Sequence, residues 1–189
     1  MLRSLLAASC GFVLLVGRVA AEDKMPVELK LVVKKESIAW PYVLGPKDFE
    51  AKLKELAKAK DPRYPLAPSV DMVLEFTNTT KEKITIYVEG DANKLTLAVK
   101  GPGVTSASPL LAFTTDFRLP KMVVIEPGKT HEVQLKGLTD GFRKVSRYIY
   151  PLAPGEYSIS ATYQLTTADG VKAALLKSGE AKFKIDEPK

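Results

Sequence analysis

Few side chains in this sequence could perform acid–base or nucleophilic chemistry. The 189 residues include one histidine, His131, and one cysteine, Cys10. Catalysis of this kind needs a nucleophile, a base or a metal held in a set geometry. His131 begins a strand-like stretch and shares a face with Val133 and Leu135, which indicates a polar residue at the rim of a core; a metal ligand or general base is the alternative. The sequence therefore predicts a protein that is not an enzyme.

Metal and cofactor sites have no stronger support. A lone imidazole excludes a histidine-rich metal site. Predicted loops carry four aspartates, two of which could meet to hold calcium: Asp91, Asp116, Asp140 and Asp169. The chain has no D-x-[DN]-x-[DN]-G string, and aspartates in turns commonly cap their own backbone. We therefore predict no metal and no cofactor.

Two long connections carry the residues best suited to binding. Residues 137–151 combine flat rings with cations, which could stack on sugars or grip anionic groups, and residues 104–120 are rich in apolar side chains. Long loops on a rigid scaffold often form binding surfaces. The alternative is that the rings pack beneath the loop while the cations point into water. The candidate ligand-binding residues are Phe142, Arg143, Arg147, Tyr148, Phe113 and Phe117.

The elements that must position these connections have the pattern of short strands. Residues 157–165 alternate strictly, with the apolar side chains of Tyr157, Ile159 and Tyr163 on one face and polar ones on the other. Before them, Pro154 and Gly155 suit a tight turn that needs a positive φ. Residues 70–88 predict a hairpin with a polar tip at 77–80. Similar runs occur near residues 25–35, 95–99, 122–125, 133–136 and 183–185.

One helix interrupts the strands. Phe49, Leu53 and Leu56 lie at i, i+4 and i+7, and Pro46 is near the start, so we predict a helix at about 46–60. We expect it to pack as a cap over the sandwich, and a membrane-surface or partner helix is the alternative. Seven to nine strands with no β-α-β alternation predict an all-β fold, an antiparallel immunoglobulin-like β-sandwich with one accessory helix.

The first 21 residues have the features of a secretory signal peptide. Arg3 provides the positive charge, residues 5–16 are apolar, and small residues precede the expected cleavage after Ala21. Cys10 leaves a lipid anchor as a weaker alternative. We predict a single domain at 22–189, secreted or periplasmic, with no integral membrane segment after the leader is removed. The net charge of +6 falls to +4 without Arg3 and Arg18, and this mild value together with export argues against a nucleic-acid partner.

Several motifs resemble a known family. FTNTT at 76–80, followed by ITI at 84–86 and by residues 90–99, resembles the opening of the bacterial intracellular proteinase inhibitor family, whose domains are sandwiches of immunoglobulin type. EPGK at 126–129 and LAPGEY at 152–157 lie where that family has proline-glycine turns. Tyr157 also resembles the tyrosine corner of immunoglobulin-like and fibronectin-III-like modules, in which the hydroxyl ties the strand to the preceding loop. The resemblance covers residues 70–165.

These observations predict an exported, non-enzymatic binding or structural module. Its partner would be a protein or an envelope polymer bound through residues 104–120 and 137–151. The family resemblance implies an alternative function, inhibition of a proteinase.

Overall fold

The described residues form three β-sheets and one helix. The structure is a computed structural model that describes residues 26–60, 62–109, 117–141 and 147–188, so the predicted signal peptide lies outside it. The helix, α1, spans Pro46–Leu56. The strands are β1 Val27–Val33, β2 Ser37–Ile38, β3 Met72–Asn78, β4 Ile84–Val88, β5 Leu95–Lys100, β6 Val104–Ala107, β7 Lys121–Ile125, β8 Thr130–Leu135, β9 Thr139–Asp140, β10 Arg147–Pro151, β11 Gly155–Thr166, β12 Lys172–Lys177 and β13 Ala181–Ile185.

Two of the sheets face each other across the main core. The first has the order β1-β3-β8, and the second has the order β2-β13-β11-β4-β7, with β5 and β12 also paired to β11. The rings of Phe76 and Tyr163, one from each sheet, meet edge to face at 5.1 Å between centroids. The predicted antiparallel, immunoglobulin-like β-sandwich is confirmed. Thirteen strands are described where seven to nine were expected, partly because β2 and β9 have two residues each, too few to show a period.

The predicted hairpin at residues 70–88 is wrong, because β3 and β4 belong to different sheets. The chain crosses between the sheets directly after Asn78, which is fully buried. The Asn78 amide donates to Glu82 O at 2.7 Å and to Ile125 O at 2.9 Å, and its oxygen accepts from Thr80 N at 2.9 Å. The β7–β8 turn crosses beside it, with Asn78 N donating to Lys129 O at 3.0 Å. One asparagine therefore fixes both crossings.

The predicted tyrosine corner is confirmed at the start of β11. The Tyr157 hydroxyl donates to Ala153 O at 2.6 Å and lies 3.3 Å from Ala153 N. Gly155 has a φ of +134°, as the turn requires. Gly101 lies against the Tyr157 ring so closely that a Cβ there would be 2.2 Å from a ring carbon. Burial raises the pKa of Tyr157, which keeps the hydroxyl protonated for these bonds.

The two long connections contain a third sheet of order β6-β10-β9, so their assignment as loops is wrong for residues 104–107, 139–140 and 147–151. Strand β10 shows no alternation because both of its faces are covered. Ile149 joins the main core, while Tyr150 belongs to a second cluster with Phe49 and Leu53 of α1. The helix therefore caps the third sheet and not the two facing sheets of the sandwich, over which the cap is predicted, and it ends at Leu56.

Candidate functional site

A short segment before and within β7 exposes four large apolar side chains. The exposed fraction is 53% for Phe117, 68% for Leu119, 61% for Met122 and 53% for Val124. Four of the ten large apolar side chains that are exposed among the described residues thus lie within eight positions of the chain. We call these four residues the β7 strip. Clustered exposed apolar side chains are typical of interaction sites, whereas single ones are ordinary.

Asp91 anchors the first half of the β7 strip. Its buried carboxylate accepts hydrogen bonds from Arg118 N and Arg118 Nε, both at 3.0 Å, and Asp91 N donates to Arg118 O at 2.9 Å. The backbone of Arg118 is therefore held through both its N–H and its C=O. Successive side chains in extended chain point to opposite sides. Phe117 and Leu119, on either side of this anchored residue, are both exposed to solvent.

The turn that carries Asp91 is itself firmly held. Gly90 approaches Pro120 so closely that a Cβ would lie 2.5 Å from Pro120 N. Asn93 Oδ1 accepts from Gly90 N at 3.0 Å, and the Tyr163 hydroxyl accepts from Glu89 N at 3.1 Å. Burial raises the pKa of Tyr163 to about 12, so this hydroxyl is neutral at ordinary pH. The β7 strip therefore begins on a rigid support.

The second half of the β7 strip lies on the outer face of an end strand. Met122 and Val124 are exposed because the intervening Val123 packs against the main core. Their partners on β4 are Tyr87 and Thr85. Strand β7 is last in its sheet and, among the described residues, pairs with β4 alone. An apolar face therefore adjoins a sheet edge, where backbone groups can accept another strand.

Arg147, a predicted binding residue, joins β5 to the third sheet. Leu97 N donates to Asp140 Oδ2 at 2.6 Å, Arg147 donates to Leu97 O at 2.8 Å, and Arg147 Nε donates to Asp140 Oδ1 at 2.9 Å. Two positions earlier on the same edge of β5, Gly141 N donates to Leu95 O at 2.8 Å. The bond with Asp140 raises the pKa of Arg147. The Asp140 and Arg147 side chains thus extend the hydrogen bonding along the edge of β5 beyond the backbone bond at Leu95.

Tyr148, another predicted binding residue, packs in the second cluster. Its ring meets the Tyr150 ring edge to face at 6.4 Å. In the same cluster Tyr42 stacks on Phe49 at 3.6 Å between centroids. Burial raises the pKa values of Tyr42 and Tyr150 far above the usual value for tyrosine. Tyr148 therefore packs beneath the connection, which is the alternative to ligand binding that the sequence leaves open for these rings.

The other predicted binding residues, Phe113, Phe142 and Arg143, lie outside the described residues. Phe117 lies beside the seven-stranded sheet, whereas Arg147 and Tyr148 lie in the third sheet. The described part of the candidate set is thus divided between two regions of the fold.

The residues considered for chemistry have separate surroundings. Asp91 and Asp140 each pair with an arginine, Asp169 accepts from Thr167, and Asp116 lies outside the described residues. His131 is partly buried on β8, and its Nε2 has no hydrogen-bond partner in the described part of the chain. The described residues contain no group of three or more side chains suited to a metal ion.

Sequence reasoning missed Leu119, Met122 and Val124. The run MVVI at 122–125 predicts a strand but does not show that one of its faces is exposed. A continuous apolar run usually indicates burial on both faces. Here one face is exposed because the strand is last in its sheet, and that position depends on long-range topology.

Fold and surface define this chain as an all-β module of the immunoglobulin-like sandwich class, with an exposed apolar edge. No helix in the described segments has the length and apolar character needed to cross a bilayer.

No family model matches the chain, so the resemblance to proteinase inhibitors gains no support there, and no curated protein matches either.

Comparison with solved structures finds weak similarity. Escherichia coli alpha-2-macroglobulin, from domain MG7 to the C-terminus, is 13% identical with a TM-score of 0.35; the match covers 86% of this chain and 17% of that one. A FixG-related protein from Vibrio parahaemolyticus is 11% identical with a TM-score of 0.30, covering 85% and 96%. A β-glucosidase from Erythrobacter marinus is 12% identical with a TM-score of 0.32, covering 85% and 15%. At these values none of the similarities bears on activity.

Proposed function

We propose that this protein is an exported, non-enzymatic module that binds another protein through the β7 strip. The observation that carries the proposal is the exposure of Phe117, Leu119, Met122 and Val124 on an anchored segment and an end strand. Export rests on the predicted signal peptide. Of the residues proposed from sequence, Phe117 belongs to this surface. Arg147 and Tyr148 are left out of it because their side chains are engaged within the fold.

An extended segment of a protein partner fits this surface better than an envelope polymer. Such a segment can pair with the backbone of β7 and place alternate apolar side chains against Met122 and Val124. The four strip residues carry no charge; the cations beside them are Lys121 within β7 and Arg118, whose guanidinium is paired with Asp91. A polymer of sugars or anions would need aromatic platforms or several cations at one place.

The test is a comparison of two double variants of the mature chain, residues 22–189. Met122→Glu with Val124→Glu places charges on the β7 strip. Val171→Glu with Leu175→Glu makes the same change at side chains that are 60% and 48% exposed around β12. Immobilised wild type and variants are exposed to envelope and culture-fluid proteins of the source organism, and retained partners are then measured individually.

We expect a partner that binds wild type and the β12 control but binds the β7 variant at least about a hundredfold more weakly, since two apolar side chains contribute about 1.5–3 kcal/mol each when buried. Size-exclusion chromatography with light scattering shows whether the partner is a second copy. Equal retention by all three proteins, or turnover of a substrate by the wild type, would contradict the proposal.

A further inference from the structure

A second candidate binding site lies between helix α1 and the third sheet. A pocket of about 140 Å³ is bounded by Glu50, Leu53 and Lys54 of the helix, by Ala57 directly after it, by Tyr64, and by Tyr150 and Leu152 of the sheet region. Thr105, Ser106 and Ala107, three consecutive residues of β6, complete its lining. Neighbouring residues of a strand point to opposite faces, so a pocket that contacts three in a row borders the edge of that strand. We call this site the α1–β6 pocket.

The hydrogen bonds of β10 show which backbone groups of β6 face outward. Leu152 N donates to Gly103 O at 2.9 Å, whereas Ile149 N donates to Leu138 O, away from β6. Alternate residues of an antiparallel strand bond to opposite sides, so Thr105 and Ala107 bond to β10.

The backbone N–H and C=O of Ser106 consequently point to the outer edge of β6. Among the described residues no strand pairs with that edge.

The size of the pocket matches one apolar side chain. An apolar cavity of about 150 Å³ accommodates a benzene molecule, so the α1–β6 pocket has room for a leucine or phenylalanine side chain but not for a drug-sized ligand. Leu53 and Tyr150 are buried at its base. The Tyr150 hydroxyl is already used, since it donates to Pro65 O at 2.7 Å. The base therefore offers apolar contact.

The pocket lining has one acidic and one basic side chain, Glu50 and Lys54, and the chain segment that carries and follows the helix has a small excess of positive charge that favours an acidic over a basic partner. Residues 46–63 contain six basic and four acidic side chains. At the rim, Lys54 Nζ lies 2.6 Å from Glu50 Oε1, and the Lys54 side chain is 71% exposed. An exposed ion pair of this kind contributes little and is easily exchanged for another carboxylate.

We propose that the α1–β6 pocket binds an extended acidic peptide segment of a partner protein, which adds as a strand to the edge of β6 that no described strand covers and inserts one leucine- or phenylalanine-sized side chain. This mode combines backbone pairing, which gives affinity, with a side-chain pocket, which gives specificity. The site is separate from the β7 strip, so one module would contact partners at two places.

The test uses two synthetic peptides and NMR titration of the ¹⁵N-labelled mature chain. Acetyl-Glu-Thr-Leu-Thr-Glu-amide is the probe, and the same peptide with alanine in place of leucine is its control. We expect the leucine peptide to shift the amide signals of Ser106 and Ala57. The alanine peptide should bind at least about tenfold more weakly, because it loses most of the buried apolar surface.

Two variants separate the pocket from the edge, and each should reduce binding of the leucine peptide at least about tenfold. Ala57→Trp fills the pocket from an exposed position, with Ala51→Trp, an exposed helix position outside the lining, as its matched control. Ser106→Pro removes the outward N–H while the Thr105 and Ala107 bonds to β10 remain.

The spectrum of each variant also shows whether it is folded. Three results would overturn the proposal: equal shifts with both peptides, full binding by folded Ala57→Trp, or no shift at 5 mM peptide. That highest peptide concentration corresponds to about the weakest affinity that would be useful. Shifts confined to the β7 strip would also overturn it but would leave the proposed function intact.

Discussion

Replacing Asp140 with alanine removes the side chain that connects β5 to the third sheet. The substitution leaves Leu97 N–H without an acceptor and takes the counter-charge from Arg147. A buried N–H left unsatisfied costs about 1–3 kcal/mol. Breaking a fully buried ion pair costs about 3–5 kcal/mol, but the Arg147 side chain is 38% exposed, so water compensates much of its loss. We expect the free energy of unfolding to fall by about 2–4 kcal/mol.

Urea unfolding followed by circular dichroism measures this loss. With an m value of about 2 kcal/mol/M, the midpoint should fall by about 1–2 M urea. The matched control is Asp71→Ala at an exposed position, which should change the free energy of unfolding by less than about 0.5 kcal/mol. Native-state hydrogen exchange should also show faster exchange of the Leu97 amide in Asp140→Ala.

A double-mutant cycle then tests whether Asp140 and Arg147 act as one unit. Arg147→Ala leaves the Asp140 carboxylate, which is 2% exposed, without this guanidinium. The combined variant should lose less stability than the sum of the two single losses, with a coupling of at least about 1 kcal/mol. Additive losses, or an Asp140→Ala variant as stable as Asp71→Ala, would refute the connecting role.

Three further changes test other parts of the fold by urea unfolding. Asn78→Ala should lower the free energy of unfolding by about 2–4 kcal/mol, because the buried carbonyl of Ile125 loses its donor; an unchanged midpoint would contradict this. Gly101→Ala should cost about 1–3 kcal/mol through the clash with a buried ring, while Gly179→Ala, with no atom near its added Cβ, should cost little. Tyr163 keeps its stabilising effect below pH 10 and loses it as the pH rises through its folded pKa of about 12, since the unfolded chain ionises first. Between pH 8 and pH 11, Tyr163→Phe should therefore lose about 1.4 kcal/mol less than wild type, and equal losses would contradict the shift.

Local patterns predicted the strands that have one buried and one polar face. Residues 157–165 alternate because β11 packs against the core on one side, and the Tyr157 corner follows from the turn chemistry before it. Helix α1 was predictable because Phe49 and Leu53 recur at helical spacing and face Tyr150. In each case the side chains that reveal the element are those that stabilise it.

Patterns that depend on distant neighbours were not predictable. The polar turn after Asn78 is compatible with a hairpin or with a crossing between sheets, and the choice depends on contacts with Ile125 and Lys129. Strand β10 lacks alternation because it is covered on both faces. Arg147 appeared free to bind a ligand because its partner at residue 140 lies seven positions earlier in a predicted loop.

The closed hydrogen-bond shell of Asn78 also limits how this protein can be produced. Residues 78–80 read Asn-Thr-Thr, a sequence that eukaryotic oligosaccharyltransferase accepts for N-glycosylation. In the folded chain this side chain is buried and both amide hydrogens are donated, so a glycan could be attached only before folding. A sugar at that nitrogen would keep the two sheet crossings apart. In a eukaryotic secretory route, glycosylation of Asn78 would therefore compete with folding. Expression in a host that does not glycosylate asparagine avoids this competition.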